Sequence, residues 1–473
     1  MLTPLDFAPT LRVILRGQGL TTMISQMDAN GLGGLLNDTT ANHTVFAPTN
    51  AAFAAVPPSA INATVLNYHL TDDVDMLSSF VDGLLEWSHL RLPSLLNNTQ
   101  ALRVSVNSTS NTVSINNATI LSGDYTASNG VVQILNSVLS LPPYLSTILQ
   151  NATVLSNLTS LLNSSGLLNG VLASSPGLTL FAPTNMAFSQ VNPQVLQYLG
   201  RPLAASVLQN VLSYHIINGA TTTPNTIYYR DTIPMGTTNF TMMSGDVAQF
   251  NKTGVSALTI NNQANATVFN VLAANGVMHG INTVLFPPSF VFDLQKALVG
   301  VDATGFLNLL LNSSLLAPLL NGATNYTIFA PNNAALAALQ QNMPTGMALL
   351  QMLQYHIVPG TYFTTNFTNG QVLPTLLFPM GLNGAAQVLR VNTSLLTSTY
   401  INNANITMAN YTAVNGVVHV IDTVLVPPMN ISTILATNPA FSTFNSLVQA
   451  SGLAALVQGN SLSLSLSLSL FIF

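Results

Sequence analysis

The segment Thr44-Val45-Phe46-Ala47-Pro48-Thr49-Asn50-Ala51-Ala52-Phe53 decides the fold, because two variants of it recur further along the chain. The recurrences begin at Thr179, where the sequence reads TLFAPTNMAF, and at Thr327, where it reads TIFAPNNAAL. In each copy an apolar, β-branched run predicts a strand, and a proline ends it. The following Thr-Asn or Asn-Asn pair supplies side-chain oxygens that cap a helix. The local prediction is therefore strand, stop and helix start, three times over.

Two further motifs repeat in the same order. The first is a Tyr-His pair that closes an apolar segment, at Tyr68-His69, Tyr214-His215 and Tyr355-His356. The second is Asn-Gly-Val at the start of a strand-like run that ends in Pro-Pro, at Asn129, Asn275 and Asn415. The copies are spaced by roughly 140 to 150 residues, a period of whole domains and not of solenoid repeats.

Three motifs in a fixed order, repeated three times over nearly the whole chain, resemble the fasciclin (FAS1) domain family. The resemblance implies an α+β fold in which each domain is a β-sheet wedge packed with several helices. It also implies a non-enzymatic, extracellular protein that serves cell adhesion and attachment to the matrix or cell wall.

The motif positions predict three tandem FAS1-like domains at residues 1–143, 144–288 and 289–428. Residues 429–473 start a further copy with a leading helix, but no fourth Phe-Ala-Pro-Thr-Asn follows, and Ser461 to Leu470 is a strict Ser-Leu alternation. We therefore expect an incomplete, truncated fourth domain with a low-complexity tail. Pro-Pro pairs at the short joints predict a semi-rigid row of domains.

The composition favours a glycosylated surface. Charged residues make up only 5% of the chain, against about 25% in an average protein, and the mean hydropathy is +0.45. Glycans on Asn-x-Ser/Thr sites would supply the missing polarity. The glycosylation candidates are Asn42, Asn62, Asn117, Asn151, Asn265, Asn325, Asn405 and Asn430. The alternative is that these asparagines serve only as turn and cap residues.

Several function classes are excluded or unsupported by the sequence. The chain has no cysteine, which removes thiol nucleophiles and thiolate metal sites. Its nine Lys and Arg are scattered, so no nucleic-acid footprint is predicted. No apolar run reaches the ~18 to 20 residues of a membrane span. A basic start followed by an apolar core is also missing, so no signal peptide is visible.

Five of the seven histidines occupy repeated motif positions: His69, His215, His279, His356 and His419. Neither Cys nor Glu accompanies them at ligand spacing, so we predict no metal and no cofactor. The FAS1 resemblance links the Tyr-His region to receptor and integrin engagement. It thereby implies partner binding by Tyr68, His69, Tyr214, His215, Tyr355 and His356. The alternative is that these residues brace the core beside the leading helix.

The first copy carries the densest acidic cluster, Thr71-Asp72-Asp73-Val74-Asp75. A cation site is one interpretation, but the segment lacks the glycine and the glutamate of a calcium loop, so a solvated turn is expected. Trp87 with His89 is interpreted as a packing feature. Gln133 replaces the strand histidine of the other copies, and a different local strand register is predicted there. The acids are mostly isolated, so no catalytic carboxylate pair is expected.

The sequence thus predicts a secreted or cell-surface glycoprotein with no catalytic residues. Its expected partners are cell-surface or matrix proteins and glycans, with self-association as a further partner class. A vacuolar or endomembrane FAS1 protein and a carbohydrate-binding module stay open as alternatives.

Overall fold

The computed structural model describes residues 8–339, 342–393 and 398–457. The Ser-Leu tail lies outside these residues. The described residues up to Val191, together with Leu208–Ser289, form one compact unit. Residues 192–207 and those from Phe290 onward form a second unit.

The first copy of the motifs builds a closed barrel of seven strands in sequential order. The strands are β1 (His43–Pro48), β2 (Leu70–Thr71), β3 (Leu85–Arg91), β4 (Thr99–Asn107), β5 (Thr112–Ile115), β6 (Ala118–Ala127) and β7 (Gly130–Leu135). The helices are α1 (Leu11–Gly17), α2 (Thr21–Ala29), α3 (Asn50–Ala54) and α4 (Ala63–Tyr68). Strands β1 and β7 pair in parallel and close the barrel.

The second copy builds a seven-stranded sheet in the order β10-β11-β12-β13-β14-β8-β9. Its strands are β8 (Leu178–Pro183), β9 (Ile216–Asn218), β10 (Gly236–Thr241), β11 (Val247–Gly254), β12 (Ala257–Ile260), β13 (Ala264–Ala273) and β14 (Gly276–Ile281). The helices in this part of the chain are α5 (Leu145–Asn151), α6 (Ser156–Ser164), α7 (Val171–Ser174), α8 (Asn185–Ser189), α9 (Pro193–Leu199) and α10 (Ala205–Ser213).

The third copy builds a seven-stranded sheet in the order β16-β15-β21-β20-β19-β18-β17. Its strands are β15 (Tyr326–Pro331), β16 (Ile357–Pro359), β17 (Val372–Pro374), β18 (Val388–Asn392), β19 (Tyr400–Ile401), β20 (Ala404–Ala413) and β21 (Gly416–Ile421). Its helices are α11 (Leu294–Gly300), α12 (Thr304–Leu311), α13 (Asn333–Leu339) and α14 (Gly346–Tyr355). Three sheets, each with its helices, confirm the predicted α+β class.

The Phe-Ala-Pro-Thr-Asn motif forms the strand end and the helix start that its residues predict. Strand β1 ends at Pro48, and the Thr49 hydroxyl accepts a hydrogen bond from the Ala52 amide at 3.1 Å, which caps α3. The Asn50 side chain does something that the sequence did not indicate. It accepts from the Thr22 amide at 3.0 Å and donates to the Gly19 carbonyl at 2.9 Å. One asparagine therefore fastens the start of α2 to the end of the strand.

The Asn-Gly-Val motif fastens the leading helix to the sheet. In the second copy the Asn275 side chain accepts from the Leu145 amide, the first residue of α5, at 3.0 Å. The Asn275 side-chain nitrogen donates to the carbonyl of Leu172, within α7, and to that of Ser175, just after α7, at 3.1 Å each. The next residue must be glycine, because Gly276 has a φ of +154° and an added Cβ would lie 1.9 Å from the Leu178 carbonyl oxygen. Backbone of this kind is open only to glycine.

The first domain begins with two helices, α1 and α2, separated at Gly19, whose φ is +74°. The predicted change of register at Gln133 is wrong. Gln133 pairs with Phe46, just as His279 pairs with Phe181 in the second copy.

Each copy buries its own apolar core. The largest buried side chains include a Phe from the first strand and a Tyr from the Tyr-His motif, namely Phe46 and Tyr68, Phe181 and Tyr214, and Phe329 and Tyr355. After the third copy the helices α15 (Ile431–Thr437), α16 (Ser442–Ala450) and α17 (Ala454–Val457) follow. The incomplete fourth domain stays a prediction. Among the described helices, none has both the length and the apolar character that crossing a bilayer requires.

The clash at Gly276 gives a test of this scaffold. Gly276→Ala should destabilise the second domain strongly, because the new Cβ meets backbone that cannot move without breaking the β8–β14 pairing. Gly236→Ala is the matched control, since Gly236 also has a positive φ, +81°, but open space around it. The control should lose only about 1 kcal/mol from strain. Thermal unfolding of the full chain, with hydrogen exchange to locate the effect, makes the comparison. Equal losses in the two variants would contradict it.

Candidate functional site

The tyrosine of each Tyr-His motif is buried and connects the helix that carries it to the far side of its sheet through hydrogen bonds of its hydroxyl group. The Tyr214 ring is 0% exposed. Its hydroxyl donates to the Val247 carbonyl at 3.0 Å and accepts from the Asn261 side chain at 2.9 Å. Asn261 in turn accepts from the Gln249 amide. The same bonds recur at Tyr68 with Asn116 and at Tyr355 with Asn402.

The histidine of the motif joins the end of the same helix to the segment after the last strand. His356 Nδ1 lies 2.8 Å from the Met352 carbonyl oxygen, so it carries the proton and donates. Its Nε2 accepts from the Leu425 amide at 3.0 Å. His69 and His215 make equivalent pairs of bonds with backbone groups. Both ring nitrogens are therefore used in every copy.

The strand histidines are also fully engaged. His279 Nε2 donates to the Tyr228 carbonyl at 2.9 Å, and His419 Nε2 donates to the Tyr362 carbonyl at 2.8 Å. In the first domain the Gln133 amide replaces the imidazole. Its Nε2 donates to the Asp75 carbonyl at 2.8 Å, and its Oε1 accepts from the Asp124 amide at 3.0 Å. A planar side chain with one donor and one acceptor end thus fills the same place.

Burial keeps these imidazoles neutral. It lowers the pKa of His69, His215, His279, His356 and His419 to about 4, since a charged ring would lose its hydration. Hydrogen bonds to backbone carbonyls oppose the shift only in part. A neutral ring with both nitrogens bonded to backbone has no lone pair for a metal and no proton for catalysis.

The geometry favours the bracing role for the Tyr-His motif. The side chains of Tyr68, His69, Tyr214, His215, Tyr355 and His356 are at most 1% exposed. A partner at the surface cannot touch them unless the domain opens locally. Partner binding by these residues stays a prediction, and the surface around them is where contact would have to occur.

The first unit contains an apolar seam between its two sheets. Leu85, Leu95 and Ala101 pack with Ile227 and Tyr229 in one buried cluster. The Trp87 ring meets the Tyr229 ring edge to face at 5.1 Å between centroids. The sequence analysis interprets Trp87 with His89 as a packing feature of the first copy. Trp87 does pack, but against a residue of the next copy, and His89 contacts Asp72 instead. No periodicity in either copy indicates such a contact.

Polar bonds flank this seam. The Ser94 hydroxyl donates to the Ala274 carbonyl at 2.6 Å, and the Gly177 amide donates to the Ser94 carbonyl at 3.0 Å. The Arg230 guanidinium donates to the Gly83 carbonyl at 3.2 Å. Apolar packing with hydrogen bonds at its margin fixes the two sheets of this unit against each other.

The second unit has a comparable fastening in which residues 192–207 take part. The Gln194 side chain donates to the Asn410 carbonyl at 3.0 Å and accepts from the Thr412 amide at 2.8 Å. The Tyr411 hydroxyl donates to the Gln194 carbonyl at 2.7 Å. Arg201 donates to the Gly300 carbonyl through two nitrogens. Helix α9 is thereby bound to β20, and Arg201, which follows it, is bound to the end of α11.

A cleft of roughly 320 Å³ opens beside the seam of the first unit. Arg103, Arg230 and Asn270 line it, with Gly83 and uncharged residues of β13. Within the part of the chain that the structure describes, the residues that line this cleft include no Asp or Glu, whereas glycoside hydrolysis needs two carboxyl groups flanking the bond that is cut.

The acidic segment of the first domain is more structured than a solvated turn. The Asp75 carboxylate is buried and accepts from the Thr71 hydroxyl at 2.6 Å. Burial and the nearby charges of Asp75 and Asp73 raise the pKa of Glu86 to about 7. Asp72 lies between two imidazoles, with its Oδ1 2.6 Å from His89 Nδ1 and 3.3 Å from His43 Nδ1. Sequence analysis missed this cluster, because its members come from separate segments.

The glycosylation candidates divide by exposure. Asn42, Asn62, Asn117, Asn151, Asn265, Asn325 and Asn430 are exposed, whereas Asn405 is half-buried. Asn62 and Asn430 also cap helices, since each side-chain oxygen accepts from an amide three residues on. A glycan is attached through the side-chain nitrogen, so capping and glycosylation are compatible. Their glycosylation stays a prediction.

The bracing role of the motif histidine can be tested in the third domain. His356→Ala should lower the free energy of unfolding of this domain by about 1 to 3 kcal/mol, because the Leu425 amide and the Met352 carbonyl lose a buried partner. Met347→Ala is the control, since this side chain of the same part of the chain is 68% exposed. Chemical denaturation followed by hydrogen exchange in the third domain measures both.

The effect of His356→Ala should shrink in acid. The folded-state pKa of His356 is about 4, below the ordinary value near 6.5 of an unfolded chain. The unfolded chain therefore binds the extra proton between these two values, and the wild type loses stability as the pH falls through that window. The variant lacks this loss. A constant difference between pH 7 and pH 4 would mean that the ring is not buried in neutral form.

Glu86 predicts a pH effect of opposite sign. Its folded-state pKa of about 7 lies above the ordinary value of 4.5, so the folded state holds the proton more tightly and stability falls as the pH rises from 4.5 through 7. Glu86→Gln should therefore melt at a higher temperature than the wild type at pH 8 and at the same temperature at pH 4. Asp231→Asn, an exposed acid in the same unit, is the control. A higher melting temperature of the wild type at pH 8 would refute the assignment.

Comparison with known proteins agrees with this architecture. The fasciclin domain matches residues 18–142, 153–287 and 302–427. Human periostin is 28% identical over 430 residues, which cover 88% of this chain and 47% of periostin. Transforming growth factor-beta-induced protein ig-h3 of Oryctolagus cuniculus is 27% identical over 349 residues, which cover 70% of this chain and 47% of that protein. The chain thus spans about half the length of these two relatives.

Among solved structures, a FAS1 domain pair from the insect cell adhesion molecule fasciclin I is similar over 57% of this chain and 98% of that one. The identity is 18% and the TM-score is 0.27, so this similarity adds nothing to the family match. The three domain matches take in most of the sequence, and the strand, helix and cap positions repeat in each. The chain belongs to the fasciclin (FAS1) domain family.

Proposed function

We propose that this chain is a non-enzymatic, secreted or cell-surface glycoprotein that mediates cell adhesion or attachment to the extracellular matrix or cell wall. The observation that carries the proposal is that the repeated motif residues bond to the interior of their own domain. The most chemically versatile side chains of the repeat, its histidines, are buried, neutral and bonded to backbone. What each copy offers to other molecules is its surface, which suits a binding module.

Linked modules explain how weak contacts become adhesion. Several FAS1 domains on one chain bind neighbouring sites together, and the avidity can exceed a single affinity by ~10² or more. This gain requires that the modules be held at a defined spacing. The apolar seam of the first unit and the Gln194 contacts of the second provide that kind of stiffness within each unit.

The uncharged surface supports export. With 5% charged residues, the chain has little electrostatic repulsion against self-association, and glycans would supply steric and polar protection. Seven of the eight candidate asparagines are exposed, as such a role requires. The proposed partners are cell-surface or matrix proteins and glycans, with self-association of the chain as a further mode.

A secretory expression experiment tests the proposal. The full chain, produced through the secretory route of a eukaryotic host, should carry glycans at exposed sites such as Asn151 and Asn325 in preference to Asn405, because the oligosaccharide must reach the side chain. Mass spectrometry of glycopeptides measures the occupancy, and Asn151→Gln with Asn325→Gln is the control for the site assignment.

Beads coated with the secreted chain then separate the partner classes. Clustering of beads alone indicates self-association, and binding of beads to cells or to matrix-coated plates indicates a heterologous partner. Beads coated with a non-adhesive serum protein are the control. A chain that emerges without glycans and leaves beads and cells dispersed would overturn the proposed function.

A further inference from the structure

Three side chains of the first domain converge on one point at the edge of its barrel. His43 begins β1, Asp72 follows β2 directly, and His89 lies in β3. One donor atom from each residue lies within 4.8 Å of the other two. The Asp72 Oδ1 to His89 Nδ1 distance is 2.6 Å, and the ring centroids of His43 and His89 are 5.9 Å apart, edge to face. The pairing of β2 with both β1 and β3 holds these positions together.

His43 differs from the motif histidines in having an unused nitrogen. Its Nδ1 lies 3.2 Å from the Thr71 carbonyl oxygen, so this nitrogen carries the proton. Its Nε2 is buried and has no hydrogen-bond partner among the described residues. Buried polar atoms are nearly always paired. The His43 nitrogen that contacts Asp72 is Nδ1, 3.3 Å from Oδ1. An ion beside Asp72 therefore takes the tautomer of His43 whose proton is on Nε2, the nitrogen with no competing partner.

The surroundings attract a cation. Asp73 and Asp75 follow Asp72 in sequence, and their charges act on Glu86. Among the described residues, the ion pairs of Asp72 are with His43 and His89, and not with a lysine or arginine. The cluster therefore combines two imidazoles and a carboxylate, with two further acids within three residues of Asp72.

We propose that His43, Asp72 and His89 form a binding site for a divalent ion of the zinc class. Two imidazole nitrogens and one carboxylate oxygen suit Zn²⁺, Co²⁺ or Ni²⁺, whereas Ca²⁺ and Mg²⁺ prefer all-oxygen sites. Three protein ligands leave a coordination position open for water or for a carboxylate of another molecule. The proposal is independent of adhesion, since it concerns the metal alone.

Calorimetric titration of the untagged full chain with Zn²⁺, after treatment with a chelator, tests the site. The wild type should bind one ion saturably. His89→Ala and Asp72→Asn should each weaken Zn²⁺ binding by at least about tenfold. Loss of a residue that only supports a metal ligand already lowers metal affinity by about that factor, and loss of the ligand itself should lower it at least as much. Asp73→Asn is the matched control, because it removes the same charge from an exposed side chain that is one residue further along the chain. Its affinity should fall much less than that of Asp72→Asn, because Asp73 acts on the ion through its charge alone and not as a ligand.

Thermal unfolding gives a second readout that does not rely on calorimetry. Zn²⁺ should raise the melting temperature of the wild type and of Asp73→Asn, since a ligand that binds only the folded state stabilises it. At the same Zn²⁺ concentration it should raise that of His89→Ala and Asp72→Asn by less, with circular dichroism showing that both variants are folded. The proposal is overturned if no saturable site is found, if Asp72→Asn behaves like Asp73→Asn, or if Ca²⁺ produces the same shift as Zn²⁺.

Discussion

A neutral imidazole with backbone groups on both of its nitrogens is the contact on which each copy depends. It joins the end of one helix to the segment that follows the last strand, elements about seventy residues apart in sequence, as His356 does between Met352 and Leu425. Such a bond is worth little in water and much in a dry core, because a lost partner cannot be replaced by solvent. The neutral ring is therefore a condition of the fold, and this explains why burial lowers its pKa so far.

Several asparagines likewise use one side chain to make two hydrogen bonds. Asn50, Asn275 and Asn261 each present a donor and an acceptor in one short, planar group. Asn50 and Asn275 use both on backbone groups, and Asn261 joins the Gln249 amide to the Tyr214 hydroxyl. A carboxylate could not donate at any of these places, and at the buried position of Asn275 it would also need a counter-charge inside the core. An amide needs none. A chain with few charges can therefore still specify its helix starts and strand ends, and its polar interior leaves the outer surface free to vary.

The sequence predicted what depends on local chemistry and repetition. The β1 strand, its end at Pro48 and the cap at Thr49 follow from residue types within ten positions, and the repetition supplied the domain class. The Trp87 contact with Tyr229 and the grouping of His43 with His89 did not follow, because both pair residues from segments that no periodicity connects. The register at Gln133 was mispredicted because an amide can replace an imidazole without moving the strand.

The first domain shows how a repeated scaffold acquires an individual property. With Gln133 in place of the strand histidine, the amide reaches the Asp75 backbone and the Asp124 side chain, which brings acids to a position where the other copies hold a tyrosine carbonyl. The acidic segment is thereby fixed against the sheet, and Asp72 meets His43 and His89. The cluster thus arises where the copies diverge and not where they agree. Shared residues in a repeat protein maintain the fold, and a site particular to one domain should be sought among the residues that its sister domains lack.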